Sequence, residues 1–152
     1  AVLSDPEAAM YASGVAFHHY MGDVSAMSQV HSARPDKDIY FTEQMIVDRG
    51  GSVSRNIAPN VKRMLIDIPR NWSRNVILWN LAADPEAGPH TGNGGCPFCH
   101  GAITIDGDKV SRNIAYYTIA HASAFVPSGS LRIASTPEAY TAASGSDRMA
   151  RG

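Results

Sequence analysis

Three short runs set the hydrophobic rhythm of this sequence: Gly14-Val-Ala-Phe-His-His-Tyr20, Asp38-Ile-Tyr-Phe-Thr-Glu-Gln44 and Asn75-Val-Ile-Leu-Trp-Asn-Leu81. Each is apolar, β-branched or aromatic through its middle and ends in side chains able to bind or react. Segments of helix length separate them. That alternation predicts parallel β/α units, an α/β fold whose ligand sites lie at the carboxyl ends of the strands. His18, Tyr20, Glu43, Trp79 and Asn80 fall at that end.

The intervening segments carry their own signals. Ser4-Asp-Pro-Glu7 offers a cap, an early proline and an acid in the first turn, predicting a short helix through about Tyr11. Residues 21–37 read as a polar, methionine-bearing loop holding at most a helical turn. Over 54–68, Ile57, Val61, Met64, Leu65 and Ile68 recur at helical spacing, with Pro59 in the first turn and Pro69 as the stop. Asn75–Leu81 is apolar at successive positions, as expected of a strand buried on both faces. Asp84–Gly101 reads as a long Gly/Pro-rich loop. Ala102–Ile105 then meets Asp106-Gly107, a hairpin turn signal. Arg112–Phe125 reads as a second long helix, Ser130–Ala134 as a last short strand, and 136–152 as a flexible tail. No internal repeat stands out.

Composition narrows the function classes. The chain has 152 residues, enough for one domain with a sizeable core, and 44% hydrophobic with 18% charged residues fits a globular protein. A net charge of −1 gives no electrostatic case for nucleic acid or an anionic membrane. No apolar run approaches the roughly 20 residues of a membrane span. The first residues, Ala1-Val-Leu-Ser-Asp-Pro-Glu-Ala-Ala9, have neither the basic nor the apolar region of a signal peptide, and the missing initiator Met suggests a cut or interior start.

The candidate chemistry is a carboxylate among aromatics and amides, which suits sugars. Glu43 can also be a strand-end acid in a salt bridge, Trp79 a core residue, and Asn80 a turn cap. His18 and His19 are adjacent on a strand and so face opposite ways. Cys96-Pro-Phe-Cys99-His100 carries several readings: a c-type haem attachment, a glutaredoxin-like redox pair, a zinc site with His90 and His100, a loop-pinning disulfide, or two free thiols. A Gly-rich setting disfavours the first two. Asn71-Trp-Ser73 fits the glycosylation pattern but reads as structural. His31 and His121 read as packing or surface residues.

Several of these motifs, in order from about residue 3 to 135, resemble the C-terminal part of a glycoside hydrolase family 30 barrel, the group of glucosylceramidases and β-glucanases. They include Gly14–Tyr20, Ile39–Gln44, Asn71-Trp-Ser73, Trp79-Asn-Leu-Ala-Ala-Asp-Pro85, Gly88-Pro-His-Thr91, Gly94–Cys99 and Gly101–Asp106. Tyr116-Tyr117, Ala120-His-Ala-Ser123 and Pro127–Ser135 complete them. The resemblance implies the last three strands, six to eight, of a (β/α)8 barrel over 1–135. It makes Glu43 the catalytic nucleophile, with His18, Tyr20 and Trp79 lining the sugar subsite and Asn80 beside them. His18 matches the family's histidine, whereas His19 stands where the family often has Trp. No cofactor and no metal is implied, and the family setting points to a secreted or periplasmic location.

A retaining glycosidase needs a second carboxyl group about 5–5.5 Å from the first. In the family it lies in an Asn-Glu-Pro context on strand four. That motif does not occur here, and Glu7, Glu86 and Glu138 are poor substitutes. Three strands also cannot close an eight-stranded barrel. The expectation is therefore a partial barrel, completed or shielded by homo-oligomerisation, whose isolated chain hydrolyses β-linked glucosides poorly. The alternative is a non-catalytic barrel remnant that self-associates and binds sugar weakly. A haem or redox protein built on Cys96 and Cys99 is a third class.

Overall fold

The computed structural model describes residues 2–135; the tail expected from Thr136 onward lies outside them. A 3-10 turn over Val2–Ser4 leads into helix α1, Pro6–Ala9. Asp5 caps it: its carboxylate accepts the Glu7 and Ala8 amides at 2.9 and 3.1 Å. Strand β1, Gly14–His18, runs parallel to β2, Asp38–Glu43. Both end one or two residues before the sequence suggests.

Between them, the expected loop is mostly helix α2, Ser25–Ala33. Asp23 Oδ1 accepts the Ser25 amide at 2.8 Å, which closes the turn that starts it. Val24, Met27 and Val30 then face the sheet, with Met27 fully enclosed. Polar composition hid a helix that tertiary packing stabilises.

The helical segment after β2 is longer and less regular than its periodicity predicts. It comprises α3 (Val53–Asn60), a π-helical stretch (Val61–Asp67) and the short α4 (Ile68–Arg70). Pro59 lies inside α3 rather than in its first turn, and Pro69 belongs to the final turn instead of stopping the helix before it. Each proline withdraws an amide donor and crowds the carbonyl four residues earlier; the widened turn falls between them.

The third run is not a regular strand. Arg74, Ile77 and Trp79 donate to the carbonyls of Ile39, Phe41 and Gln44, so the segment does lie along β2. The spacing is three residues against two, then two against three. Phe41 N–H, which a regular ladder would use, is taken by Asn75 Oδ1 at 2.9 Å. Nor is the run buried on both faces: Val76 and Leu78 pack on the core, while Ile77 and Trp79 remain 49% and 42% exposed.

Beyond it, β3 (Ala82–Ala83) pairs in parallel with β4 (Ile103–Asp106), which forms the expected hairpin with β5 (Lys109–Arg112). Gly107 takes the positive φ of 57° that this two-residue turn requires. Helix α5, Ile114–Ser123, follows. Ser130–Ala134 forms no strand, and its Leu131 and Ile133 project outward.

One core joins these pieces. Ile39 and Phe41 from β2 pack with Met27, Met64, Ile68, Ile114 and Ala115 from the helices. Burying each large side chain contributes about 1.5–3 kcal/mol. This core coats one face of the β1–β2 sheet. The other face stays open, and the described residues form a partial α/β unit, not a closed barrel.

Candidate functional site

The open face owes its chemistry to one irregularity. Strands β1 and β2 keep step from Gly14 opposite Asp38 through Phe17 opposite Phe41, and then His18 pairs with Glu43, skipping Thr42. Such a bulge reverses the in–out alternation beyond it. Burial records the reversal: Ile39 and Phe41 are enclosed, and the next enclosed positions are Gln44 and Ile46. Had Thr42 taken the regular place opposite His18, Glu43 would share the core-facing side of Phe41. With the bulge, Glu43 shares the open face with His18.

Three side chains meet there. His18 Nδ1 lies 3.7 Å from Glu43 Oε1, both partly exposed. The Tyr20 ring meets the His18 ring edge-on, with centroids 6.2 Å apart and planes at 85°. Burial pushes the Tyr20 phenol above its usual value, and hydrogen bonding toward Glu43 together with its negative charge adds to the shift; the Met45 amide opposes it.

Trp79 joins this group through the backbone. Its amide donates to Gln44 O at 3.0 Å, next to Glu43 in the chain, and its indole is left partly exposed on the open side. Asn80 follows with a left-handed φ of 58°, and its carbonyl accepts the Ala102 amide at 3.4 Å. Asn is one of the few non-glycine residues that adopts this conformation readily. The turn-capping reading of Asn80 thus has a structural basis alongside the binding one. His19 lines a cavity of about 80 Å³ with Met27 and Phe41.

Sequence reasoning missed two supports of the site. Asn75 holds Phe41 from the side, as described above. Cys99, buried, packs its sulfur against the Met45 thioether, which ties the 84–101 loop to the segment just after Glu43. An Asn at the head of an apolar run is a visible signal, whereas the Cys99–Met45 contact has none.

Cys96 and Cys99 form a disulfide. This is the loop-pinning disulfide among the readings of the motif. The pair follows no strand and opens no helix, unlike a glutaredoxin motif. Asn71 in Asn71-Trp-Ser73 is engaged at both ends, donating to Asp67 O at 2.9 Å and accepting from Ser28 Oγ at 2.7 Å. His31 stacks on Trp72 at 3.9 Å, and His121 Nδ1 lies 2.7 Å from Tyr117 O in its own helix. Among the described residues, no three His, Cys, Asp or Glu side chains gather as a metal site, and no helix is long and apolar enough to cross a membrane.

Parallel β/α units with a carboxylate and aromatic residues at the strand ends have the layout of a barrel segment whose site lies at those ends. The sequence matches the Glycosyl hydrolase family 30 TIM-barrel domain over residues 1–126, and the chain belongs to that family. It is 31% identical over 130 residues to the endo-1,6-β-D-glucanase neg1 of Aspergillus fumigatus, covering 82% of this chain and 25% of that protein. It is 32% identical over 152 residues to the lysosomal acid glucosylceramidase of Mus musculus, covering 88% and 27%. In three dimensions it resembles the endo-β1,6-glucanase BT3312, with TM-score 0.74 and 34% identity over 82% of this chain and 28% of that one. The chain thus spans about a quarter of the length of these relatives.

Proposed function

We propose that this chain carries the nucleophile half of a retaining glycosidase site, with Glu43 as the nucleophile and β-linked glucosides or related glycans as substrates. The observation that carries the reading is the bulge that turns Glu43 out of the core toward His18 and Tyr20. A retaining nucleophile must be ionised, partly accessible and fixed in direction. The Tyr20 ring, set edge-on to His18, closes the side of the site next to Glu43. Trp79 and Tyr20 offer aromatic walls for the sugar ring, and His18 and Asn80 border it. The names of the relatives, endo-1,6-β-D-glucanases and glucosylceramidase, support a β-glucoside as the substrate class.

The general acid/base is the other half. Glu7 lies in α1, before the amino end of β1, and Glu86 sits in the turn closed by Asp84. Neither stands at the carboxyl end of a strand with Glu43. The acid/base therefore comes from elsewhere in a complete barrel or from a partner, and these residues alone hydrolyse little. The disulfide suits an oxidising compartment, in line with a secreted or periplasmic location.

The test avoids the need for that acid. A 2-deoxy-2-fluoroglucoside with a dinitrophenolate leaving group needs no protonation to depart. Glu43 attacks the anomeric carbon, the carbon–oxygen bond to dinitrophenolate breaks, and a glycosyl ester remains on the protein. Intact mass and peptide mapping should place one fluoroglucosyl group on Glu43, and Glu43→Gln should abolish it. A folded wild-type chain that gains no adduct overturns the assignment.

A second reading is favoured by the open face. Exposed Ile77, Trp79 and Leu81, with the free edge of β1, are surfaces that a complete barrel covers. The chain is then a barrel segment that self-associates and binds sugar weakly. Light scattering that returns a homo-oligomer, together with absent labelling of Glu43, supports this reading over the first.

A further inference from the structure

Asn93 differs from the other asparagines of the chain in both its surroundings and its neighbour. Asn56, Asn60, Asn71, Asn75 and Asn113 are held by side-chain hydrogen bonds. Each precedes isoleucine, valine or tryptophan, whose side chain crowds its own amide nitrogen. Asn93 is exposed, and its side-chain amide has no hydrogen-bond partner among the described residues. Only its main-chain carbonyl is engaged, accepting from Thr91 Oγ1 at 3.1 Å. The next residue is Gly94, at a φ of 79° that glycine adopts without strain. A Cβ built on Gly94 would meet nothing within 4 Å, and among the described residues its amide donates to no main-chain carbonyl. An unheld carboxamide thus stands beside an uncrowded, unengaged amide nitrogen.

We propose that Asn93 is a site of self-modification, in which the Gly94 amide nitrogen attacks the Asn93 side-chain carbonyl carbon. A new carbon–nitrogen bond closes a succinimide ring, the attacking nitrogen gives up its proton, and the side-chain nitrogen leaves as ammonia. Water then opens the ring. Breaking its bond to Cγ gives an ordinary aspartate. Breaking its bond to the main-chain carbonyl carbon gives an isoaspartate, whose chain runs through Cβ and Cγ. The balance needs only water. Either product places a carboxylate, ionised at neutral pH, where a neutral amide stood. The isoaspartate also lengthens the main chain by one carbon, in a turn without slack: a Cβ at Gly95 would collide with the Thr91 backbone. That turn therefore has to open, just before the disulfide whose Cys99 packs against Met45.

The experiment incubates the whole folded chain at mildly alkaline pH in water enriched in heavy oxygen. Isoelectric focusing should show an acidic species accumulating, and peptide mapping should find one solvent oxygen in the peptide that spans Asn93. The isoaspartate fraction should accept a methyl group from an isoaspartyl methyltransferase. Asn93→Gln keeps the amide but would have to close a larger ring, which forms less readily, so this peptide should take up no oxygen in the variant. Because the Asn93 side chain holds nothing in place, the circular dichroism of the variant should match that of wild type. The free peptide Thr-Gly-Asn-Gly-Gly, copied from residues 91–95, sets the time of incubation. A chain that stays unmodified while this peptide converts overturns the proposal, as does oxygen uptake that is the same in wild type and Asn93→Gln.

Discussion

His18 pairs with Glu43 and not with Thr42, and this single offset in a parallel ladder separates a buried acid from a presented one. The bulge lies one residue before the end of β2, so the rest of the strand keeps its apolar side on the helices. Within β2 only the terminal carboxylate changes face, and Gln44 and Ile46 beyond it follow the new phase.

Deleting Thr42 should therefore leave Glu43 on the open face. Plain alternation sends the residue after Phe41 to the side opposite Phe41, so the shortened strand pairs Glu43 with His18 in a regular ladder. Hydrogen exchange along β2 should show that ladder, and a loss of several kcal/mol in urea unfolding, on the order of 3–5, would show instead that Glu43 has been driven into the core.

Asn56 is a buried polar residue that organises the loop after the site. Its Oδ1 accepts the Arg49 amide at 3.1 Å, and its Nδ2 donates to Asp48 Oδ1 at 3.0 Å and to Gly50 O at 2.9 Å. Asn56→Leu fills the space but orphans these groups, so a destabilisation of about 1–3 kcal/mol is expected. Thermal denaturation measures it, and an unchanged melting temperature would show that the loop finds other partners.

The Tyr20 phenol should titrate above the ordinary tyrosine value, because burial and then Glu43 favour its neutral form. Glu43→Gln should lower it only in part, since burial remains. The folded protein holds this proton longer than the unfolded one, so the contribution is present below the ordinary phenol value and is lost as pH rises through the folded value. Ultraviolet difference titration of Tyr20→Phe against wild type isolates the group.

At the other end of β2 the sign is opposite. Arg74 Nη1 donates to Asp38 Oδ1 at 2.7 Å and Tyr40 Oη to Asp38 Oδ2 at 2.9 Å, holding the carboxyl below its usual range. Its contribution is present above the unfolded carboxyl value and disappears as pH falls through the folded one. Arg74→Gln should move the Asp38 carboxyl resonance midpoint upward in an NMR titration. An unmoved midpoint would show that Tyr40 alone sets it.

Close approach gives a further steric test. A Cβ at Gly14 would lie 2.5 Å from Asp38 O and 2.7 Å from the Tyr40 ring. The first obstacle is backbone, so Gly14→Ala should push β1 and β2 apart and cost about 1–3 kcal/mol in denaturant unfolding.

The sequence by itself determined the parallel β/α character, the positions of β1 and β2, the hairpin at Asp106-Gly107 and the family. These rest on local patterns: runs of β-formers, turn residues with a fixed φ, and several ordered motifs. Tertiary structure decided the rest. Helix α2 forms because Met27 and its neighbours find the sheet, against a polar composition. The run from Asn75 to Leu81 loses its regular ladder because the Asn75 side chain takes the Phe41 amide. The identity of Glu43 as a candidate was legible in its strand-end position. Its direction was not, because a period of two places it among core residues until one unpaired threonine reverses the phase.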